Sequence, residues 1–290
     1  MLTGSEPVHL VECPRDAMQG LHNFIPTETK AAYLNQLLKV GFHTLDFGSF
    51  VSPKAIPQMQ DTAAVLQQLD LSTTTTKLLA IVANERGAAA AADHVQIHYL
   101  GFPLSISETF QQRNTNRSIE EAFTSLQHIQ DLCLQHHKIL VTYISMGFGN
   151  PYGDLYSADV VKEFVERLHK MEVGVVSLSD TVGSATEADI EALFGKISKA
   201  FPDMELGVHL HARYADVALK TKAAWQAGCR RIDGALKGFG GCPMANSDLV
   251  GNMATEEVIR ALEALGVGTG LNQEELQKSL LMAGSIFPVR

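Results

Sequence analysis

The chain has 290 residues, 46% hydrophobic and 19% charged, enough to bury a large core. Its formal net charge of −9 is spread without a basic block, which argues against nucleic acid as a general partner. No apolar run approaches the ~20 residues needed to cross a bilayer, and Met1 to Val11 has neither a signal nor a transit pattern, so no membrane association and a cytoplasmic setting are expected.

Short β-rich runs recur in chain order, at Val8 to Cys13, Thr44 to Phe50, Lys77 to Ala83, Val95 to Leu100, Ile139 to Ser145, Val173 to Ser179, Glu205 to His211 and Arg231 to Leu236. Between them lie helix-start signals: Thr27-x-x-Lys30, Ser118-Ile-Glu-Glu121, Ser157-Ala-Asp and Thr186-Glu-Ala-Asp. Eight strands alternating with helices predict an α/β fold, a closed (β/α)8 TIM barrel, with additional C-terminal helices at Thr255 to Leu265 and Gln273 to Ala283. No low-complexity linker divides the chain, so residues 1–290 are expected to form a single barrel domain with 266–290 as its closing helical segment. Cys13, Cys133, Cys229 and Cys242 show no CxxC spacing, in keeping with reduced thiols.

Barrel active sites lie where strands end and βα loops begin. Arg15 and Asp16 follow the first strand, Asp46 sits near the end of the second, Asn84 follows the third and Asp180 ends the sixth. His209 and His211 end the seventh, two apart in an apolar run, so strand alternation points both imidazoles to one face. That is metal-ligand geometry, against the plainer readings of a hydrogen-bonded core histidine or a solvated strand edge. Asp16 adds a carboxylate and Asn252, in Gly251-Asn252-Met253, an amide oxygen. A mixed oxygen and nitrogen set without thiolate suits a divalent ion with open positions, Mg2+ or Mn2+ rather than a closed structural zinc. Taken singly, Asp16 also reads as a cap or salt-bridge residue and Asn252 as a turn residue. Cys242, in Gly240-Gly241-Cys242-Pro243, places a thiol on a glycine-flanked loop as a candidate acid or base, whereas Cys133 and Cys229 read as small buried hydrophobes. Arg15 beside a metal-binding carboxylate could stabilise a developing enolate oxygen. Gly147-Phe-Gly-Asn-Pro-Tyr-Gly153 lacks the spacing of a nucleotide loop.

Val11-Glu-Cys-Pro-Arg-Asp16, Ser49-Phe-Val-Ser-Pro-Lys54, Ser177-Leu-Ser-Asp-Thr-Val-Gly183, His209-Leu-His211, Gly238-Phe-Gly-Gly-Cys-Pro243 and Gly251-Asn-Met-Ala-Thr-Glu256 together resemble the 3-hydroxy-3-methylglutaryl-CoA lyase family. More widely they resemble the DRE-TIM metallolyases, which share the His-x-His. The resemblance implies a barrel whose metal is held by Asp16, His209, His211 and Asn252. It further implies an acyl-CoA thioester partner and retro-Claisen-type cleavage of 3-hydroxy-3-methylglutaryl-CoA to acetyl-CoA and acetoacetate. The position of Arg15 would steady the enolate oxygen, and Cys242 would return a proton to carbon. Asp180, and Asp46 where the family usually has Glu, are candidates for positioning or basic roles; the base itself is left between His209 and Asp180. A homodimer is left open.

The sequence departs from the family pattern at Cys13, which replaces two residues, and at Ala212-Arg213, which follows His211 where an Asp is usual. His22 stands where a CoA-contacting lysine is common. Two other readings compete: a related DRE-TIM enzyme acting on another 3-hydroxyacyl-CoA or a 2-oxo acid in the condensing or aldolase direction, and an inactive metal-binding scaffold. Arg15, Asp16 and Cys242 together speak against the scaffold, which gains nothing from a thiol and a guanidinium at a mouth.

Overall fold

The computed structural model describes residues 7–241 and 250–287. Eight strands, β1 (His9–Glu12), β2 (Thr44–Ser49), β3 (Lys77–Ile81), β4 (Ile97–Ser105), β5 (Ile139–Ser145), β6 (Val175–Asp180), β7 (Glu205–Ala212) and β8 (Arg231–Gly234), pair in parallel, each with its successor. β8 returns to β1, with Leu10 opposite Ile232, so the sheet closes into a TIM barrel. Parallel strands covered on both faces need apolar residues in continuous runs; β2 and β6 are buried at every position.

Helices α1 (Pro14–Gln19), α2 (Thr27–Leu38), α3 (Thr62–Leu66), α4 (Glu85–Ala92), α5 (Glu108–Thr115), α6 (Ile119–Gln135), α7 (Ala158–Lys170), α8 (Glu187–Ala200) and α9 (Val217–Gln226) alternate with the strands. Their starts follow local capping chemistry. Ser118 with Glu121 and Thr186 with Asp189 form reciprocal capping boxes on α6 and α8, and Ser157 caps α7. The signal at Thr27 is displaced by one residue, because Pro26 occupies the cap position and Thr27 is the first helical residue. Asn84 likewise serves as a cap, its Oδ1 accepting from the Gly87 N–H at the start of α4.

β4 runs to Ser105, beyond the predicted end at Leu100. Gly101 and Pro103 hide this extension, since both are depleted in strands. A larger residue at 101 would crowd its neighbours: a Cβ would stand 2.5 Å from Ile81 Cδ1 and 3.1 Å from Tyr143 Cε2, so those side chains would have to shift. Leu79, Tyr99, Val141, Tyr143 and Val175 form one apolar cluster, while a second, larger one joins Leu45, Leu78, Leu100 and Val176 to helix residues such as Leu34, Leu126 and Ile190. Strand alternation explains the division, one set filling the lumen and the other the layer between sheet and helices.

After β8 the chain returns as a two-residue strand, β9 (Gly251–Asn252), antiparallel to β7 with Asn252 opposite His211. α10 (Thr255–Ala264) and α11 (Gln273–Ile286) then close the chain, α11 packing on α2. Both C-terminal helices lie where the sequence predicts them.

Candidate metal centre

β7 carries two imidazoles to the mouth of the barrel, and each has one ring nitrogen anchored. His209 Nδ1 lies 3.1 Å from Asp233 Oδ2, and His211 Nδ1 lies 3.0 Å from the Thr181 carbonyl oxygen. Both partners accept, so Nδ1–H donates and Nε2 keeps its lone pair for a ligand. Burial, followed by the neighbouring His209, pushes His211 down to about 4, which keeps it neutral. Burial opposes charge on His209, yet its hydrogen bond to Asp233 and the nearby carboxylates raise its pKa.

α1 begins straight after β1, with Pro14 at its first position, and so brings Arg15 and Asp16 to the same mouth. One ligand atom from each of Asp16, His209 and His211 lies within 4.8 Å of the others. Burial works against ionisation of Asp16, but the Arg15 guanidinium and then the neighbouring His209 ring hold it at about 2, a carboxylate at any ordinary pH. Asn252 completes the group from β9, its Nδ2 donating to Asp16 Oδ2 at 2.6 Å and to the Phe239 carbonyl at 2.9 Å. Gly240 permits this closeness, because a Cβ there would stand 2.7 Å from Asn252 Nδ2 and 2.8 Å from the Asp16 carbonyl oxygen. Two imidazoles, one ionised carboxylate and one amide fit a hard or borderline divalent cation by donor chemistry.

Arg15 is nearly saturated. Its Nε and Nη2 hold Asp46, at 3.0 and 2.6 Å to Oδ2, and its Nη1 reaches Asp16 Oδ1 at 3.0 Å and Gln19 Oε1 at 2.8 Å. The second Nη2 hydrogen has no partner among the described residues. Burial raises Asp46 to about 6 in spite of this guanidinium, and Gln19 braces Asp16 through a 2.7 Å bond to Oδ1.

Asp180, at the end of β6, is committed elsewhere. Oδ1 accepts from the Ser184 N–H, and Oδ2 from the Ala185 N–H and from Lys220 Nζ at 2.9 Å. Lys220 also donates to the carbonyls of Gly183 and His211, tying three segments of the mouth together. Glu12, the last residue of β1, accepts from the Leu236 N–H and the Thr255 hydroxyl, and burial raises it to about 8. Cys242 lies outside the described residues.

Asp233 is the residue that sequence reasoning passes over. Its Oδ2 fixes His209, and one ligand atom from each of Cys13, His209 and Asp233 also lies within 4.8 Å of the others. The available signal is register: β8 lies against β7 with Val208 opposite Ile232, which sets the next residues, His209 and Asp233, side by side.

Residues 9–281 match the family model described as HMGL-like. The chain is 33% identical to the mitochondrial hydroxymethylglutaryl-CoA lyase of Macaca fascicularis, over 99% of this chain and 86% of that protein. It is 32% identical to the cytoplasmic 3-hydroxy-3-methylglutaryl-CoA lyase of Rattus norvegicus, over 94% of this chain and 79% of that protein. Among solved structures, the HMG-CoA lyase of Brucella melitensis aligns with a TM-score of 0.89 at 28% identity, covering 98% of this chain and 99% of that one. An Acinetobacter baumannii HMG-CoA lyase, solved with coenzyme A and 3-methylmalate, aligns with a TM-score of 0.90 at 27% identity over 99% and 93% of the two chains. This chain belongs to the HMGL-like family and is a carbon–carbon lyase.

Proposed function

We propose that the protein cleaves 3-hydroxy-3-methylglutaryl-CoA to acetyl-CoA and acetoacetate, using Mg2+ or Mn2+ held by Asp16, His209, His211 and Asn252. The observation that carries this reading is the convergence of Asp16, His209 and His211, each with its other polar atoms already held, at the C-terminal mouth of the barrel. A divalent cation there would supply Lewis acidity that lowers the pKa of the substrate's tertiary hydroxyl. Asn252 contributes once its amide turns its oxygen, rather than its nitrogen, toward the centre.

The residues then divide the proton and charge traffic. The hydroxyl proton leaves to a base and the C2–C3 bond breaks. The hydroxyl carbon becomes the ketone of acetoacetate, and the bonding pair passes to the thioester fragment as an enolate. Arg15, oriented by Asp46 and Asp16, turns its unfilled Nη2–H toward that developing oxyanion. Cys242 returns a proton to the enolate carbon, giving acetyl-CoA. Of the two basic candidates, His209 has Nδ1 on Asp233 and gives Nε2 to the cation in this reading, and both oxygens of Asp180 are engaged by Ser184, Ala185 and Lys220. Asp180 therefore supports the mouth through Lys220, and His209 serves as a ligand rather than as the proton acceptor.

Incubation of the purified protein with Mg2+ or Mn2+ and a panel of 3-hydroxyacyl-CoA thioesters tests the assignment. The expected result is release of acetyl-CoA and acetoacetate from the 3-hydroxy-3-methylglutaryl thioester, lost with EDTA and restored by either ion. Preference for a different thioester, or turnover indifferent to EDTA, would overturn the substrate or the metal respectively.

A further inference from the structure

Below the candidate metal centre the barrel encloses polar side chains that satisfy one another incompletely. Tyr143 on β5 lies in register with Ser177 on β6, Ser177 with Gly207 on β7, and Gly207 with Arg231 on β8. Gly207 leaves its place empty, and the stem of Arg231 lies over it, with Cγ and Cδ each 3.0 Å from where a Cβ would stand. Arg231 is 1% exposed, and its Nη1 reaches Glu205 only at 3.5 Å. Its Nε and Nη2, the Tyr143 hydroxyl, Ser177 Oγ and Asp233 Oδ1 are all buried without a hydrogen-bond partner among the described residues. Arg231 and Asp233 stand two apart on β8, so strand alternation turns both side chains to one face of the strand.

The chemistry of these orphan atoms is complementary. A guanidinium only donates, Asp233 Oδ1 only accepts, and the two hydroxyls do both. A buried polar group left without a partner loses its hydration with nothing in return, so a dry layer with five such atoms would weigh heavily on a fold of ordinary stability. Water that makes about three hydrogen bonds is the usual occupant of such a polar interior.

We propose that ordered water fills this layer and couples Arg231 to the free oxygen of Asp233, making Arg231 a positioning residue for His209. Asp233 Oδ2 holds His209 Nδ1, so whatever fixes the other oxygen of that carboxylate also fixes the direction in which Nε2 points. The geometry under His209 carries this role, which touches the proposed metal only through Mn2+ affinity.

Arg231→Met keeps the stem that covers Gly207 and removes the donors; Arg231→Lys restores one. The His209 Nδ1–H proton resonance, followed in histidine-labelled protein without added metal, is expected to shift or broaden in Arg231→Met and to recover in Arg231→Lys. Mn2+ affinity should fall about 10-fold in the first variant and recover in the second. The unfolding midpoint should fall, because removing one partner leaves the buried Asp233 carboxylate without its counter-charge. An unchanged resonance in folded Arg231→Met overturns the proposal, leaving Arg231 as filler. Should that variant not fold, Ser177→Ala removes one water partner and is expected to perturb the same resonance; no perturbation overturns the proposal equally. If the parent protein holds no Mn2+, the metal reading fails while the His209 resonance still decides the role of Arg231.

Discussion

The barrel carries two histidine pairs, one at each end, and they behave as opposites. At the mouth, the rings of His209 and His211 meet edge to face at 5.5 Å, each with Nδ1 anchored, beside the carboxylate of Asp16. At the foot, His9 and His43 stack flat at 3.7 Å, with Lys77 and Arg231 acting on His43. Burial, the neighbouring His9 ring and then these two cations push His43 down to about 3. Imidazole pairs alone therefore do not make a cation site. Anchored ring nitrogens are common to both pairs, His9 on Glu205 and His43 on Thr44 at the foot, so the difference lies in surrounding charge: Asp16 converges with both rings at the mouth, whereas Lys77 and Arg231 act on His43.

Removing a ligand should break this contrast most severely. His211→Ala is expected to weaken Mn2+ binding by about 100-fold or more, at or above the upper end of what loss of an outer partner costs, as read by titration calorimetry. A variant that binds as tightly as the parent would place the ion elsewhere. Asp233→Asn tests the anchor alone and should cost about 10- to 100-fold in the same assay, with the fold retained by circular dichroism. His43→Phe sharpens the comparison from the other end, since Mn2+ affinity should stay within about twofold of the parent. The same variant carries a pH signature. A folded-state pKa below the ordinary value of 6.5 means that the unfolded chain binds the proton more readily, so stability is complete above pH 6.5 and declines as the pH falls toward 3. Phenylalanine cannot titrate and should flatten that stretch of a chemical denaturation series by on the order of 1 kcal/mol, the half-exposed ring being screened by solvent.

The parts of the molecule that could be read from the chain are those written locally. Strand alternation put His209 and His211 on one face, and the capping boxes at Ser118 and Thr186 marked α6 and α8 because a cap is decided within four residues. Arg15 and Asp16 were legible as mouth residues, although the helix that carries them starts without a loop. Asp233 was hidden because an aspartate within a short strand has no local signature; its meaning depends on β7 lying alongside. The same applies to Gln19, which matters only through Asp16, and to Lys220, whose three partners come from β6, the segment after it and the end of β7. Asn84 misled in the opposite direction, since a polar residue after a strand is as readily a helix cap as a reactive group.

The approach of Gly241 to Val250 bears on chain length. A Cβ on Gly241 would stand 2.7 Å from the Val250 carbonyl oxygen, so the two residues flanking the intervening stretch lie close together. Closing a longer excursion across such a narrow neck costs only slowly increasing entropy, roughly 0.6 kcal/mol for each doubling of length. Added residues there would leave Asn252 fastened opposite His211. The position of Asn252 is thus insulated from changes in chain length between residues 241 and 250.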